Sequence, residues 1–352
     1  MPASGDRPSS TDSGFTGTTY WPMATSSSST SERGLLVIHQ GALGDFILSL
    51  PAIWALYGAM TPKPFAVAGH PWAVGVLEGV PEVDLLDVNT PPLSSLWTAE
   101  APGVLPFPKA VVFSNSPHWR EGLKRAGVKE VWTLPPFPQG NLHLMDHHLR
   151  GLFLCGVKVK THPDLFLSSE ERKKVRHWLR EKGIEGDFVV LHPGAGSSQK
   201  VWPPERMAEV AQRLRQQGLF IVLVEGPADD GPVKAFLDAS SPPDLLLKTP
   251  PLRKLAAVLS EAALFIGNDA GVAHLAAAAG APTLVLFGPT DPSLWAPRGR
   301  KVRWIQSRTP CAPCSAHRRR ECPRNRCMED IPVEAVYIES LSLLYDGERR
   351  RR

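Results

Sequence analysis

Residues 265–292, FIGNDAGVAHLAAAAGAPTLVLFGPTDP, decide the fold. They read as a strand, a tight turn, an alanine-rich helix, a second strand and a Gly-Pro turn. Asp269, Gly271 and His274 converge where the helix begins, and a helix N-terminus carries unpaired N–H groups and partial positive charge. With the backbone N–H groups of Ala270 and Gly271, this turn is typical of a diphosphate site, although a buried βαβ unit with a capping Asp has the same pattern.

A second phosphate-binding candidate lies at residues 188–204, FVVLHPGAGSSQKVWPP, where a strand runs into a glycine-rich loop. The loop contains two glycines, two serines and a lysine: Gly194, Gly196, Ser197, Ser198 and Lys200. Two hydroxyl donors and a cation suit phosphate oxygens, although most such loops are simply polar surface loops. The spacing is not that of a Walker loop.

The third stretch, LLVIHQGALGDFILSLPAIWALY, spans residues 35–57 and predicts a strand that turns into a helix. Asp45 lies at this turn, on the edge where open α/β sheets bind ligands. The loop glycines Gly41 and Gly44 do not complete a dinucleotide fingerprint. Asp45 is therefore a candidate general base facing the cleft, with a plain helix N-cap as the alternative.

Strands and helices alternate along most of the chain, which predicts an α/β fold with parallel sheets. A length of 352 residues is enough for two domains with separate cores, and we expect the hinge between residues 156 and 169. Glu225 and Asp229 follow the strand predicted at residues 219–224. Carboxylates there can accept hydrogen bonds from ribose hydroxyls, although solvated loop acids are an equal alternative.

Charge and hydropathy exclude some classes of protein. The formal net charge is +4, but residues 298–327 hold ten Lys and Arg against one acidic residue, Glu321. Such a segment suits an acidic partner, namely a phosphorylated glycolipid, an anionic membrane surface or a nucleic acid, or it is a solvated loop. No stretch predicts a transmembrane helix or a secretory signal, and the Ser- and Thr-rich residues 1–33 predict disorder.

The cysteines and histidines raise the question of a metal. Cys155 stands alone and is expected to be buried, whereas the other four cysteines form the pattern C-x2-C-x7-C-x4-C: Cys311, Cys314, Cys322 and Cys327. Four close thiols suit a structural zinc or two disulfides, and the spacing resembles a zinc knuckle of a nucleic-acid-binding module. The cluster is an appendage to a large α/β chain, and no aromatic residue for base stacking lies between Cys311 and Cys327. His143 and His147 are four residues apart, but no third ligand accompanies them.

Taken together, the three stretches resemble glycosyltransferase family 9, the heptosyltransferases of lipopolysaccharide inner-core assembly. The matching motifs are GALGDFILSLP, HPGAGSSQKVWP and NDAGVAHLAAAAGAPTLVLFGPTDP. The tail CAPCSAHRRRECPRNRCMEDIPVEAV resembles heptosyltransferase II-like members, and the resemblance runs from about residue 34 to residue 345.

The resemblance implies a GT-B arrangement of two Rossmann-like domains with parallel sheets. We expect an acceptor domain at residues 34–158 and a nucleotide-sugar domain at residues 159–345, followed by a basic tail at residues 346–352. The expected donor is ADP-heptose and the expected acceptor a lipid-linked oligosaccharide. The alternative is a nucleotide-sugar-binding GT-B protein of other activity, epimerase-like or non-catalytic.

The resemblance also implies a chemistry: inverting transfer without a metal or other cofactor. Asp45 would remove the acceptor proton, while Lys200 and the serines at 197 and 198 would steady the departing diphosphate together with the α-helix N-terminus at Gly271. Asp269 and His274 would orient that site. We expect a cytoplasmic protein, peripheral on the inner face of the inner membrane, that takes no nucleic acid as a partner.

Overall fold

Two parallel β-sheets organise this computed structural model. The described residues are 34–59, 64–98, 103–154, 156–157, 163–315 and 321–345. The strands are β1 (Leu35–His39), β2 (Phe65–Gly69), β3 (Val83–Asp87), β4 (Lys109–Phe113), β5 (Glu130–Leu134), β6 (Phe188–His192), β7 (Phe220–Glu225), β8 (Leu245–Lys248), β9 (Leu264–Asn268), β10 (Thr283–Phe287) and β11 (Val302–Gln306). The helices are α1 (Leu43–Ala59), α2 (Pro71–Val74), α3 (Pro117–Arg125), α4 (Leu144–Leu154), α5 (Ser169–Glu181), α6 (Pro204–Gln216), α7 (Asp230–Ala239), α8 (Leu252–Glu261), α9 (Gly271–Ala279), α10 (Pro292–Trp295), α11 (Arg326–Glu329) and α12 (Val333–Tyr345).

The order of the strands brings the predicted loops together. The first sheet runs β3-β2-β1-β4-β5 and the second runs β11-β10-β9-β6-β7-β8, and the strands in each are parallel to their neighbours. The winding reverses between β1 and β4 in the first sheet, and between β6 and β9 in the second. Ligands of open α/β sheets bind at such reversal points, beyond the carboxyl ends of the strands. The predicted α/β fold with parallel sheets is confirmed.

Local sequence explains why the elements form. The central strands β1, β6, β9 and β10 are buried at all five positions, as expected for strands covered by helices on both faces. A capping box begins α5, since Ser168 Oγ accepts from the Glu171 N–H and the Glu171 carboxylate accepts from the Ser168 N–H. These local signals place the helices and strands, and packing between the sheets places the cleft.

The N-terminus of α1 packs directly against the N-terminus of α9 and so joins the two sheets. A methyl group on Gly44 would lie 2.9 Å from Cδ2 of the His274 ring. On the other side of the contact, a methyl group on Gly271 would lie 2.9 Å from Cβ of Leu43. Real Cβ atoms do not approach other atoms this closely, so glycine at both positions permits the contact.

A second contact between the halves lies beyond the carboxyl ends of the strands. The ring Nε2 of His143, at the start of α4, is 2.9 Å from the carbonyl oxygen of Ala296. Asp146 in the same helix accepts from Arg298 at 3.1 Å. Because the His147 ring faces the Pro135 carbonyl instead, the two histidines that lie four residues apart engage different partners.

Arg253 of α8 binds residues of both halves with its five N–H donors, and two of these residues lie in the segment where the hinge is predicted. The guanidinium donates to both carboxylate oxygens of Glu171, at 2.6 and 3.1 Å. It also donates to the carbonyl oxygens of Val76, Leu165 and Phe166, at 3.2, 2.6 and 3.1 Å. Arg253 is 8 % exposed, so it is a nearly buried cation whose donors are matched by acceptors.

Some predictions fall on parts of the chain that the structure does not describe. These are the disorder of residues 1–33, the basic tail at 346–352, the burial of Cys155 and the domain boundary between residues 158 and 159. Among the described residues, no helix is long and apolar enough to span a membrane.

We expect Arg253→Ala to lower the free energy of unfolding by about 3–5 kcal/mol, because it leaves a buried set of acceptors without its cation. Arg176→Ala is the matched control, since Arg176 also pairs with a glutamate, Glu261 at 2.8 Å, but its side chain is 44 % exposed. That control should cost below about 1 kcal/mol. Urea denaturation measures the free energy of unfolding of both variants. Equal decreases in that free energy would contradict the role of Arg253 in holding the two halves together.

We expect Gly44→Ala to destabilise the protein by about 1–3 kcal/mol, because its methyl group would overpack the contact with the buried His274 ring. Gly58→Ala, near the other end of α1, is the control, since a methyl group there would meet nothing within 4 Å. In a helix that change should stabilise by up to about 1 kcal/mol. Opposite shifts in melting temperature are the expected result, and a stabilising Gly44→Ala would show that the helix ends do not touch.

Candidate functional site

Three loops of the second half converge on the carboxylate of Asp269. The ammonium of Lys200 lies 2.8 Å from Asp269 Oδ2, and the hydroxyl of Thr290 donates to the same oxygen at 2.7 Å. Asp269 is 5 % exposed and the side chain of Lys200 is 23 % exposed, so the ion pair is only partly open to water. The predicted donor residues Lys200 and Asp269 therefore lie together, 69 positions apart in sequence. Thr290 is a site residue that the sequence reasoning missed.

The N-terminus of α9 opens onto this ion pair. Ala270 is the N-cap residue and supplies no side-chain hydrogen bond to the first turn, so side-chain capping does not occupy its N–H groups. The His274 ring is 6 % exposed, and its Nδ1 has no hydrogen-bond partner among the described residues. Burial lowers the pKa of His274 to about 4, so the ring is neutral at neutral pH.

Asp45 faces the ion pair from the first half. It is the third residue of α1, and its carboxylate accepts a hydrogen bond from the backbone N–H of Ala42. It is thus not the N-cap itself but reaches back to the N-cap position. Burial raises the pKa of Asp45; the Ala42 N–H and the charge of Lys200 oppose this rise, and Asp269 adds to it. Asp45 is therefore close enough to Lys200 and Asp269 for their charges to shift its pKa.

A chain of buried hydrogen bonds holds the turn after β1. The N–H of Gly41 donates to His39 Nδ1 at 3.2 Å, so His39 Nε2 carries the proton of the neutral ring and faces Ser49 Oγ at 3.0 Å. On the other side of Ser49, at 3.1 Å, lies His148 Nδ1, while His148 Nε2 faces the Pro136 carbonyl at 3.2 Å. Burial lowers the pKa of His39 to about 3 and that of His148 to about 4. Both rings are therefore neutral connectors that fix the turn.

Asn268 secures both ends of the glycine-rich loop after β6. Its side-chain NH2 donates to the carbonyl oxygens of Pro193 and Gly194, at 2.8 and 3.1 Å. Its Oδ1 accepts from the Trp202 N–H at 3.0 Å. The position of Asn268, directly before Asp269 at the end of a buried strand, is what could have marked it as a functional residue in the sequence. Its partners could not be predicted, because they lie more than 60 residues away in the chain.

The loop glycines differ in what crowds them. A methyl group on Gly41 would lie 2.6 Å from Cε1 of His39 and 3.0 Å from Cβ of Asp45. A methyl group on Gly194 would collide with the carboxylate of Asp229, whereas Gly196 has no neighbour within 4 Å of that position. Gly41 therefore allows the side chains of His39 and Asp45 to approach the backbone closely, and Gly194 does the same for Asp229.

The serines of the same loop lie on a 3-10 turn at Ser198–Lys200. Ser197 is its N-cap, and its hydroxyl accepts from the Gln199 N–H at 3.4 Å. Ser198 is exposed. Their contact with phosphate stays a prediction.

The candidates for the ribose contact lie in different surroundings: Glu225 is the last residue of β7, and Asp229 is the N-cap residue of α7. Asp229 Oδ2 is 2.8 Å from His192 Nε2 and accepts from the Gly226 N–H at 2.8 Å. Burial by itself raises the pKa of Asp229, but His192 and the Gly226 N–H outweigh it and hold the pKa below its usual value. Glu225 Oε2 is 3.3 Å from Lys248 Nζ, an ion-pair distance without hydrogen-bond geometry. Contact of either carboxylate with ribose stays a prediction.

The four clustered cysteines form no disulfide in the part of the chain that the structure describes. Cys327 is buried, and burial together with the nearby Cys314 and Cys311 raises its pKa to about 11. Within the described ranges, no group of three or more His, Cys, Asp and Glu side chains is arranged to hold a metal ion. Residues 316–320, between Cys314 and Cys322, lie outside those ranges.

Solved structures confirm the GT-B arrangement. The glycosyltransferase of family 9 from Veillonella parvula superimposes with a TM-score of 0.74 at 20 % identity, covering 90 % of this chain and 98 % of that one. E. coli ADP-heptose lps heptosyltransferase II gives a TM-score of 0.71 at 19 % identity, covering 90 % and 99 %. At these identities the similarity establishes the fold.

Sequence comparison establishes the family. Lipopolysaccharide heptosyltransferase 3 of E. coli K12 is 31 % identical over 168 residues, which are 46 % of this chain and 48 % of that protein. The chain thus spans about half the length of this curated relative. The family model described as glycosyltransferase family 9 (heptosyltransferase) matches residues 144–324, just over half of the chain. The resemblance expected from the three motifs is therefore confirmed, and the chain belongs to glycosyltransferase family 9, the heptosyltransferases.

Proposed function

We propose that this protein transfers heptose, with inversion, from ADP-heptose to a lipid-linked acceptor of the lipopolysaccharide inner core. The observation that carries this proposal is the placement of Asp45 across the cleft from the Lys200–Asp269 pair and the open N-terminus of α9. The names of the relatives, which are lipopolysaccharide and ADP-heptose heptosyltransferases, support the choice of sugar and acceptor.

The donor diphosphate would lie between Lys200 and the first turn of α9. Backbone N–H groups at a helix N-terminus bind anions, and the ammonium has three N–H donors, one of which faces Asp269. Negative charge grows on the diphosphate as its bond to the anomeric carbon breaks. Fixed donors aimed at that charge stabilise the transition state without reorganising.

Asp45 would act as the general base. The acceptor hydroxyl oxygen attacks the anomeric carbon, its proton passes to the Asp45 carboxylate, and the diphosphate leaves with the electrons of the broken C–O bond. A carboxylate with a raised pKa is a stronger base than an exposed aspartate, which favours this role. Attack from the Asp45 side, with departure on the Lys200 side, inverts the anomeric centre.

We propose that no divalent cation or other cofactor takes part, because Lys200 and the helix N-terminus already supply positive charge to the leaving group. His274 is neutral, so its unpartnered Nδ1 would orient the donor rather than add charge. Glu225 or Asp229 would meet the ribose, since Glu225 ends the neighbouring strand β7 and Asp229 lies in the turn that follows it, at the start of α7.

The same placement of Asp45 and Lys200 on opposite walls assigns one substrate to each half of the chain. Residues 34–158 would take the acceptor and residues 159–345 the nucleotide sugar. The basic segment at 298–327 would face an anionic membrane surface, and the protein would act as a peripheral, cytoplasmic enzyme with no nucleic-acid partner.

The alternative is a nucleotide-sugar-binding GT-B protein of other activity, epimerase-like or non-catalytic. The second half by itself fits either proposal, because both need a diphosphate site. Asp45 distinguishes them, since a base on the opposite wall serves an incoming hydroxyl. Heptose transfer in a donor and acceptor panel favours the transferase.

We expect Asp45→Asn to lower the transfer rate by about 10²–10⁴-fold while leaving the affinity for ADP nearly unchanged, because it removes the base and not the diphosphate site. In the wild type, kcat should fall as the pH drops through the raised pKa of Asp45, above the value of about 3.9 for an exposed aspartate. Steady-state kinetics across pH and isothermal titration with ADP measure these effects. Wild-type turnover in the variant would reduce Asp45 to a helix-end residue.

We expect Lys200→Ala to weaken ADP binding by about 10–150-fold, because a charge-assisted contact is lost and Asp269 keeps its negative charge near the diphosphate. Lys234→Ala is the control, since Lys234 pairs with Asp238 on the exposed side of α7. Isothermal titration compares the two variants. Activity should also survive saturating EDTA, and an absolute need for Mg²⁺ would overturn the metal-free proposal.

A further inference from the structure

The cysteine-rich segment, defined here as residues 307–315 and 321–330, contacts both loops that carry the donor site. The N–H of Cys314 donates to the carbonyl oxygen of Pro289, next to Thr290, at 2.8 Å. The side-chain NH2 of Asn325 donates to the carbonyl oxygens of Ser198 and Val201, at 3.3 and 3.1 Å. The segment thus braces the two loops from outside the cleft.

The two carbonyls that Asn325 holds lie on either side of Lys200. The 3-10 turn Ser198–Lys200 closes with the Val201 N–H donating to the Ser198 carbonyl at 3.2 Å. Asn268 secures the ends of this loop, at Pro193, Gly194 and Trp202, but not its middle. Asn325 holds the part of the loop from which the Lys200 side chain extends.

The orientation of the Asn325 amide is determined by its neighbours. Its nitrogen faces two carbonyl oxygens, which can only accept, so that atom must be the NH2 group. On the other side, the Cys327 thiol donates to Asn325 Oδ1 at 3.6 Å, an ordinary length for a sulfur donor. The amide is therefore anchored at both ends, and a carboxylate of the same shape would repel both carbonyls.

We propose that Asn325 is a positioning residue for donor binding: it fixes the Ser198–Val201 turn so that the Lys200 ammonium stays at the diphosphate position beside Asp269. This inference rests on the proposed function of the site. It gives the cysteine-rich segment a role in the reaction without placing any of its side chains in contact with substrate. A loop of glycines and serines has many conformations, so holding its middle lowers the entropy lost when the donor binds.

The test compares Asn325→Ala and Asn325→Asp with the wild type. Losing two hydrogen bonds to the turn should raise the Kd for ADP by about 10-fold in Asn325→Ala, because Lys200 is no longer held in place. Asn325→Asp should raise it further, since its carboxylate faces the Ser198 and Val201 carbonyls. The KM for the nucleotide sugar should rise in parallel and kcat should fall as well, because Lys200 also stabilises the departing diphosphate, while the KM for the acceptor stays near its wild-type value.

Arg324→Ala is the matched control. Arg324 neighbours Asn325, but its guanidinium pairs with Glu329 at 2.8 Å and is 70 % exposed. Its loss should leave the Kd for ADP within about twofold of the wild type. Isothermal titration with ADP, at a temperature at which circular dichroism shows every variant folded, gives the comparison directly.

Each outcome decides the matter. A Kd in Asn325→Ala within twofold of the wild type overturns the positioning role, whatever happens to the melting temperature. Asn325→Asp binding as well as Asn325→Ala overturns the argument from donor direction. A wild type that binds neither ADP nor any other nucleoside diphosphate overturns the proposed function itself, and the role of Asn325 with it.

Discussion

The close approach of two helix N-termini is the constraint on which the rest of the site depends. Gly44 in α1 and Gly271 in α9 lack the side chains that would separate the helices, so Leu43 and His274 pack across the boundary between the sheets. Both helix ends carry partial positive charge, which costs energy unless anions lie near them. Asp45 and Asp269 supply such anions, and a donor diphosphate would supply more. The N-termini of α1 and α9 thus stabilise negative charge in the cleft even without a bound ligand.

The charged groups in the cleft are the Lys200–Asp269 pair and Asp45, whereas the buried histidines around them are neutral. Lys200 and Asp269 form an ion pair that Thr290 supports, while burial keeps His274 neutral. One cation is therefore shared between a carboxylate and any bound diphosphate. The neutral rings of His39 and His148 hold the opposite wall by hydrogen bonds and by packing against Phe113, without adding charge near Asp45.

Two amide side chains hold the glycine-rich loop after β6 in one conformation. Asn268 secures the loop ends from the adjoining strand, and Asn325 approaches its middle from the cysteine-rich segment. An amide can donate to carbonyls and accept from an N–H or a thiol at once, which suits it to joining irregular backbone segments. The cysteine-rich segment is thereby part of the architecture of the site, and Arg253 holds the backbone at Leu165 and Phe166 in a corresponding way.

Local sequence determined the elements and much of the site. Strand and helix alternation, the glycine-bearing turns and the positions of Asp45, Lys200 and Asp269 could be predicted because each depends on residues near in the chain. Tertiary structure alone decided the pairing of Asp229 with His192, the support from Thr290, the contact of Gly44 with His274 and the reach of Asn325 to Ser198. Those partners are separated by between 21 and 230 positions, and the order of the strands and the closure of the two sheets brought them together. Hydrogen bonds and close contacts depend on distances of a few ångströms in space, which a pattern along one chain does not encode.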